Sequence, residues 1–468
     1  AYAFLKMQAE AIRPYLKEDQ FITTNGIFPN VDYQRLVPEV LDFITYDNYP
    51  DFAYGMDANP RQEGNLKDRN SSFNLARVRS ISPVFGIMEQ QSGPGGWTGR
   101  ILQPMPKPGQ MRLWTMQAIA HGADYIGYFR WRTCGYGTEI YWHGLNDYSN
   151  EPNRRLEELK TIHEETVRLS DAGLAGARYQ ANYAILRDYD NDWDGAEDKM
   201  YGPLADKSMD GWFRAFQHNH IPFDFYYWRE DTTAEDLGQY EILIYPHPAI
   251  LTRERADILM EYMKNGGTVI FGSRTGYKDE YGRCPMRPMP GFAGELCGVR
   301  VKDYTLLGPD DDMEYVSWEG DRMEAPWFND VLEQKEGGEI LAVFQNNYYD
   351  GEPALIRKQN GKGWGYYFGG GFSEDTANGF IQKLGMKPVR GVSHVPAEVE
   401  AALRSKTVMI QTDGTEVVRN YLFLLNYTKE EKTVELENKF EDVLSGETLT
   451  GQVKLPGYGV VCLMEEER

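Results

Sequence analysis

Short apolar runs alternate with amphipathic stretches over the first third of the chain. Four of these runs predict strands, and an apolar stripe between the third and the fourth predicts a helix. The strands are 21–24 (FITT), 41–46 (LDFITY), 84–88 (VFGIM) and 124–131 (DYIGYFRW), and the helix is 110–121 (QMRLWTMQAIAH). Because strands that alternate with helices form parallel sheets, we expect α/β architecture here, as half of a (β/α)8 TIM barrel.

Half a barrel has two open parallel edges. We therefore expect the N-terminal half of the barrel to be supplied as upstream sequence or by a second chain. The chain opens AYAFLKMQAEAIRPY, without an initiator Met or the pattern of a signal peptide. This opening is typical of the interior of an amphipathic helix.

Two further domains are predicted after the barrel segment, which we assign to 1–165. Beyond a long polar helix, strands at 183–186, 223–227, 242–245 and 268–271 alternate with helices such as 253–265. This alternation predicts a flavodoxin-like (class I amidotransferase-like) α/β domain over 170–390. From 394 to 468 only strands are predicted, at 407–411, 419–426, 432–436, 447–450 and 459–464. That pattern indicates a small antiparallel β domain.

Composition narrows the class of partner. With 71 acidic and 49 basic residues the formal charge is −22, which disfavours nucleic acid and anionic membranes. No apolar run approaches the roughly 18 residues of a membrane helix. The glycine runs show neither the GxxxxGK[ST] nor the GxGxxG pattern, and we expect no cofactor. The cysteines show no CxxC spacing, so we expect no metal site, and their scarcity suits a reducing, cytoplasmic setting. They are Cys134, Cys284, Cys297 and Cys462.

Glu89 is the leading candidate for chemistry. It follows the predicted strand 84–88, and a glycine-rich loop with Trp97 comes after it. Reactive groups of (β/α)8 barrels lie at the carboxyl ends of strands, and an indole offers a face on which a sugar can stack. A retaining glycosidase needs a carboxylate that attacks the anomeric carbon and a second one about 5–5.5 Å away. A solvated Glu at a strand end is the other interpretation.

Other polar residues follow neighbouring strands. A Tyr after the second strand could donate a hydrogen bond to Glu89 and keep it ionised. Asp47 and Asn48 are equally well explained by a turn before Pro50. Glu139, Trp142 and His143 (GTEIYWHGL) could bind sugar hydroxyls, or pack a loop. His121 lies on an amphipathic helix and is interpreted as structural.

The stretch FGIMEQQSGPGGW followed by PGQMRLWTMQAIAHGADYIGYFRWR resembles glycoside hydrolase family 42, the β-galactosidases. The resemblance extends over the whole chain. It implies the C-terminal half of a catalytic barrel, a trimerisation domain at 170–390 and a small β domain. By this resemblance Glu89 is the nucleophile, and Tyr49 (with Tyr46 less favoured), Trp97, Glu139 and His143 bind substrate. It further implies a homotrimer that releases terminal non-reducing β-D-galactose from oligosaccharides by double displacement.

Two departures from the family pattern keep alternatives open. Glu139 and His143 stand four apart where the family places them three apart, so an α-L-arabinopyranosidase is an alternative. The family's acid/base Glu follows an Asn at the end of the fourth strand, and no Asn-Glu dipeptide lies within residues 1–150. We therefore expect the acid/base outside this chain, and a non-catalytic assembly or binding fragment is a further alternative. Amidotransferase chemistry is disfavoured because Cys284 and Cys297 do not follow a strand.

Overall fold

The computed structural model describes residues 1–50, 69–97, 100–142, 144–409 and 416–467, with the backbone alone for 100–102. The chain forms two compact units. Unit one comprises 1–180, 218–222 and 388–468, and unit two comprises 181–217 and 223–387. The predicted domain limits at 165–170 and 390–394 stay predictions.

Unit one begins with alternating helices and strands. In chain order these are α1 Tyr2–Ile12, a 3₁₀ turn Arg13–Tyr15, β1 Asn25–Gly26, α2 Tyr33–Val40, β2 Thr45–Asn48, α3 Asn70–Ile81, β3 Phe85–Gln91, β4 Gly96–Trp97, β5 Arg100–Leu102, α4 Gln110–Ala120, β6 Ala123–Phe129, α5 Arg154–Asp171 and β7 Arg178–Tyr179.

Four of these strands form a parallel sheet in the order β1-β2-β3-β6, which confirms the predicted parallel arrangement. The first predicted strand, 21–24, is wrong in position. The Asp42 carboxylate accepts the N–H of Ile22 at 2.6 Å in place of a backbone carbonyl. The regular ladder therefore starts only at Asn25, which pairs with Thr45.

The helices cover one face of this sheet. Alternate residues of β2 and β3 point toward the helices, so Ile44 and Ile87 are fully buried while their neighbours face the other side. The resulting core joins α1, α2, α3 and α4 to the strands. Its buried members include Ala9, Leu36, Val37, Val40, Leu75, Val78, Phe85, Ala118 and Ala123.

Unit two has its own set of elements. In chain order they are β8 Tyr183–Arg187, α6 Tyr189–Glu197, α7 Pro203–His218 (its last residue lying in unit one), β9 Phe223–Tyr227, α8 Ala234–Leu237, β10 Ile242–Tyr245, α9 Arg253–Lys264, β11 Thr268–Phe271, α10 Ala293–Cys297, β12 Val299–Leu306, β13 Tyr315–Trp318, β14 Asp321–Glu324, β15 Phe328–Gln334, β16 Gly338–Phe344, β17 Pro353–Asn360, β18 Gly363–Phe368 and α11 Glu374–Leu384.

Five strands of unit two pair in parallel in the spatial order β9-β8-β10-β11-β18. Numbered along the chain this order is 2-1-3-4-5, which is that of flavodoxin-like doubly wound sheets. The four strands predicted from apolar runs here all occur, at β8, β9, β10 and β11. Each run is buried on both faces by helices, which explains why it reads as continuously apolar.

An antiparallel extension of this sheet was missed by the sequence reasoning. Strands β17, β16, β13 and β14 continue it beyond β18, while β12 and β15 form a separate pair. Residues 315–318 alternate between partly and fully buried positions. This period of two was the available signal, but in β13 and β14 it extends over only four residues each.

The C-terminal part of unit one contains strands only, as predicted from its alternation. They are β19 Val392–His394, β20 Val399–Met409, β21 Glu416–Asn426, β22 Lys432–Asp442, β23 Glu447–Leu455 and β24 Val460–Glu467. All of them pair antiparallel, and β20 also pairs with β7. The fully buried Arg404 of β20 donates to Asp124 at 2.8 Å and to the carbonyls of Ile119 and Ala177. These hydrogen bonds connect β20 to β6, to the end of α4 and to the segment before β7.

A second buried contact in unit one centres on Glu400. Its carboxylate accepts hydrogen bonds from Ser72 (2.9 Å), Tyr427 (2.7 Å) and His121 Nε2 (2.9 Å). On the other side of the imidazole, Arg79 donates to Nδ1 at 3.0 Å. The interpretation of His121 as a structural residue is confirmed.

Among the described helices, none combines the length and apolar character needed to cross a membrane. In the same part of the chain, no three His, Cys, Asp or Glu side chains gather as a metal site would require.

Candidate active site

Polar side chains from three neighbouring strands meet at the carboxyl end of the four-stranded sheet. Asp47 of β2 is the register partner of Glu89 of β3. Asn25 of β1 donates its side-chain amide to Asp47 Oδ2 at 2.5 Å. Arg132, in the loop after β6, forms an isolated β-bridge with Asn146. The site is thus built on β1, β2 and β3.

Tyr49 lies directly over the candidate nucleophile. Its hydroxyl donates to Glu89 Oε2 at 2.7 Å, and Glu89 itself is partly buried. Tyr46 lies three residues earlier and packs with the helix-side core, away from Glu89. Since successive strand residues point to opposite faces, only one of the two tyrosines can reach the carboxylate. The structure places Tyr49 there, which was the favoured choice.

Two tryptophans extend the site from the side of Tyr49. The ring of Trp142 lies 5.2 Å from that of Tyr49, edge to face, and 5.6 Å from that of Trp97. Trp97 belongs to the short hairpin of β4 and β5 that follows Glu89 along the chain. Trp142, buried in the loop after β6, therefore joins the hairpin to Tyr49. The sequence reasoning considered it only as one of several loop residues.

Gln103 was missed by the sequence reasoning. It follows the hairpin, and its backbone N–H donates to the carbonyl of Gly95 at 2.9 Å. The side-chain amide is buried and finds no hydrogen-bond partner among the described residues. A Cβ at Gly95 would lie 2.3 Å from its Oε1 and 3.4 Å from Trp142. A glycine at position 95 is thus needed for the loop to pass over the Gln103 amide. No local pattern in the sequence indicates that Gln103 is buried here.

Of the two residues predicted to bind sugar hydroxyls, Glu139 and His143, the structure describes only Glu139. Arg130 donates to the Glu139 side chain at 3.4 Å and to the carbonyls of Glu139 and Trp142. The Glu139 side chain is 43% exposed and so is held at the surface of the loop that carries Trp142. His143 lies outside the described residues.

The chain's one Asn-Glu dipeptide, Asn150-Glu151, lies outside the sheet. It occupies an exposed turn between β6 and α5, where the N–H of Glu151 donates to Ser149. Its position gives it no place at a strand end.

The electrostatics of the site are those of a crowded acidic pair. Burial raises the pKa of Asp47 to about 6; the hydrogen bond from Asn25 opposes this rise, and the charge of Glu89 adds to it. Burial and the bond to Glu89 also raise the pKa of Tyr49 far above its ordinary value. Tyr49 therefore remains a hydrogen-bond donor at every physiological pH.

This arrangement suits nucleophilic chemistry on a sugar. It offers a carboxylate that accepts a hydrogen bond from a tyrosine hydroxyl, and two indole rings that pack in series from that tyrosine. Hydrogen bonding to an ionised carboxylate favours its charged form, which a nucleophile requires. Aromatic faces pack against the apolar faces of sugar rings while leaving the hydroxyls to polar groups.

Three family models match successive parts of the chain. They are described as β-galactosidase (residues 1–169), β-galactosidase trimerisation domain (181–389) and β-galactosidase C-terminal domain (414–464). Together they cover nearly the whole sequence.

Individual relatives give the same result. A β-galactosidase of Clostridium cellulovorans is 28% identical over 98% of this chain and 66% of its own length, and one of Geobacillus sp. is 28% identical over 95% and 63%. Among solved structures, Gan42B, a GH42 β-galactosidase of G. stearothermophilus, superposes with a TM-score of 0.84 and 26% identity over 99% of this chain and 66% of that one. A β-galactosidase of Halorubrum lacusprofundi gives 0.79 and 26% over the same shares. The chain thus spans slightly less than two thirds of the length of these relatives.

Proposed function

Because this chain belongs to glycoside hydrolase family 42, we propose that it carries the nucleophile of a retaining exo-β-galactosidase. The observation that supports this most directly is the 2.7 Å hydrogen bond from Tyr49 to Glu89 at the carboxyl end of β3. Its substrates are oligosaccharides with a terminal, non-reducing β-D-galactose.

The proposed reaction has two displacements. An oxygen of ionised Glu89 bonds to the anomeric carbon as the bond to the leaving oxygen breaks, and the bonding electron pair departs with that oxygen. Water then displaces Glu89 from the same carbon, so the anomeric configuration is retained. Tyr49 orients the carboxylate for the first step, and Trp97 with Trp142 packs against the sugar ring.

The acid/base carboxyl group is proposed to come from a barrel segment outside this chain. Two observations support this proposal. Within the described residues, β1 and β6 each pair on one side only in the four-stranded sheet. The relatives are also longer than this chain. Such a segment would pair with these open edges and bring the second carboxyl group opposite Glu89.

We also propose a homotrimer. The match of residues 181–389 to a trimerisation domain supports it. Sedimentation analysis of the full chain would give a mass three times that of the 53.7 kDa monomer.

The stereochemical outcome tests the proposed function. The substrate is 2,4-dinitrophenyl β-D-galactopyranoside, whose leaving phenolate needs no proton from an acid. Proton NMR during the first minutes should show β-galactose before mutarotation. First-formed α-galactose would contradict double displacement, and faster cleavage of the matching α-L-arabinopyranoside would contradict the galactose preference.

Replacing Tyr49 by Phe is expected to slow cleavage of this substrate about 10- to 100-fold. The change removes one hydrogen bond to a charged group, worth about 1.5–3 kcal/mol. Tyr46→Phe is the matched control, because its ring packs on the helix side of the sheet. Equal rates for the two variants would remove Tyr49 from the proposed mechanism.

A further inference from the structure

We propose that Asp47 is a positioning residue for Glu89: its negative charge, held beside the nucleophile, speeds the attack on the anomeric carbon. This inference rests on the proposed function of Glu89. It assigns Asp47 a purpose that neither a turn nor the resemblance explains.

The geometry fixes the two carboxyl groups as neighbours. Asp47 and Glu89 are register partners on adjacent parallel strands, so their side chains leave the sheet on the same face. Asn25 holds Asp47 from the next strand with a bond of 2.5 Å to Oδ2. That bond comes from the strand on the other side of β2 and fixes the orientation of the Asp47 carboxyl group.

The second oxygen of Asp47, Oδ1, is buried and has no hydrogen-bond partner among the described residues. The same holds for Thr45 Oγ1, Asn48 Oδ1 and Gln90 Nε2 on or beside the same two strands. A buried carboxylate oxygen without a donor is costly, and natural proteins rarely retain one that serves no purpose. A surface turn would instead leave the side chain in solvent or bonded to its own backbone.

The charged and titratable groups around Asp47 come from three directions. Glu89 faces it from β3, Tyr49 lies above it at the end of β2, and the neutral amide of Asn25 faces it from β1. On the opposite face of β2, Arg77 of α3 acts on Tyr46. The raised pKa of Asp47, about 6, agrees with a carboxyl group that shares its site with another.

The charge of Asp47 can affect the rate because negative charge leaves Glu89 during the attack. Before attack the carboxylate of Glu89 is repelled by ionised Asp47. As the bond to the anomeric carbon forms, the electron pair of the breaking bond leaves with the departing group, so negative charge moves from Glu89 to a more distant atom. Positive charge also develops on the sugar ring. Both changes are more favourable with Asp47 ionised, by about tenfold in rate for two charges near the protein surface.

The first test is the rate at which 2-deoxy-2-fluoro-β-D-galactosyl fluoride labels the full chain between pH 4.5 and 8.5. Fluoride leaves without an acid, so only the nucleophile's step is measured. The wild-type rate should rise about tenfold with a midpoint near pH 6. Asp47→Asn should match the wild type at pH 5, lack this rise, and be about tenfold slower at pH 8.

The control is Asp19→Asn, which removes an exposed carboxylate from the segment before β1. It should keep the wild-type pH profile. An unchanged rise near pH 6 in Asp47→Asn would overturn the inference. So would a wild-type rate that falls as the pH rises through 6, because Asp47 would then act as a proton donor.

A second test does not depend on activity. A carboxyl group whose pKa is raised by folding stabilises the protein below its ordinary pKa, near 4, and this stabilisation is lost as the pH rises through about 6. Between pH 4 and 7 the Tm of the wild type should therefore fall by about 3 °C relative to Asp47→Asn. The fall should shrink in a Glu89→Gln background, where the neighbouring charge is absent.

The labelling and Tm experiments distinguish a failure of the proposed function from a failure of the inference about Asp47. If no protein is labelled at any pH, the proposed function fails, and the Tm comparison still decides whether Asp47 and Glu89 interact. A Tm difference that is constant with pH, or unaffected by Glu89→Gln, would overturn the inference even if labelling succeeds.

Discussion

Replacing Glu89 by Gln should lower the cleavage of 2,4-dinitrophenyl β-D-galactopyranoside by about 10⁴- to 10⁶-fold, as expected when an enzyme loses its nucleophile. The amide oxygen carries no negative charge and cannot displace the phenolate. The substitution preserves size and leaves an oxygen for the Tyr49 hydroxyl to donate to. We therefore expect the fold to be retained, with a Tm within about 2 °C of the wild type.

A rescue experiment makes this loss specific. In Glu89→Ala the space of the carboxylate is open to a small external nucleophile. Azide should then restore cleavage and give α-galactosyl azide, because a single displacement inverts the anomeric carbon. Glu157→Gln, an exposed change on α5, is the control and should retain full activity. Activity of Glu89→Gln within tenfold of the wild type would contradict the role of Glu89.

The second large effect concerns stability. Replacing Glu400 by Gln should destabilise unit one by about 3 kcal/mol, because it disrupts a fully buried charged network. The carboxylate accepts from three donors, Ser72, His121 and Tyr427. An amide presents a donor on one side, so at least one of these hydrogen bonds is lost. The first unfolding transition should fall by about 6–12 °C at pH 7.

The effect should depend on pH with a definite sign. Burial on its own raises the pKa of Glu400, but the electrostatic interaction and hydrogen bond with His121, the charge of Arg69 and the hydrogen bond from Tyr427 hold this pKa well below its ordinary value. A carboxyl group with a lowered pKa contributes stability above its unfolded pKa, near 4.3, and loses this contribution as the pH falls below that value. The difference between wild type and Glu400→Gln should be full at pH 7 and shrink below pH 4.

Glu398→Gln is the matched control for this measurement. Glu398 lies two residues earlier and pairs with Lys432 at the surface, where its side chain is 50% exposed. Exposed pairs contribute at most about 1 kcal/mol. Similar losses for the two variants, or a Glu400→Gln effect that does not change with pH, would contradict the buried network.

The fold was predictable where each element carries its own signal. The strands β8, β9, β10 and β11 lie within about one residue of their predicted positions, because burial makes their residues mostly apolar. The strands from β12 to β17 were missed because they pair antiparallel and are not separated by helices, which was the pattern used to recognise strands here. The shift of β1 to Asn25 depends on the side chain of Asp42, which no periodicity reveals.

The site was predictable as far as residue order along the chain allows. Glu89 and Tyr49 each follow a predicted strand, and parallel strands bring their carboxyl ends to one edge. The partnership of His121 with Glu400 joins residues 279 positions apart, and its pairing cannot be read from local sequence. The Asp47 oxygen that finds no partner within the described part of the chain and the buried amide of Gln103 are also properties of the folded chain alone.

Covalent trapping of the glycosyl-enzyme identifies the nucleophile. The full chain is incubated with 2-deoxy-2-fluoro-β-D-galactosyl fluoride, digested, and sequenced by mass spectrometry. If Glu89 is the nucleophile, each chain should carry one fluorogalactosyl group, on the peptide that contains Glu89 and on that side chain. A label on any other carboxylate, or equal labelling of Glu89→Gln, would contradict it.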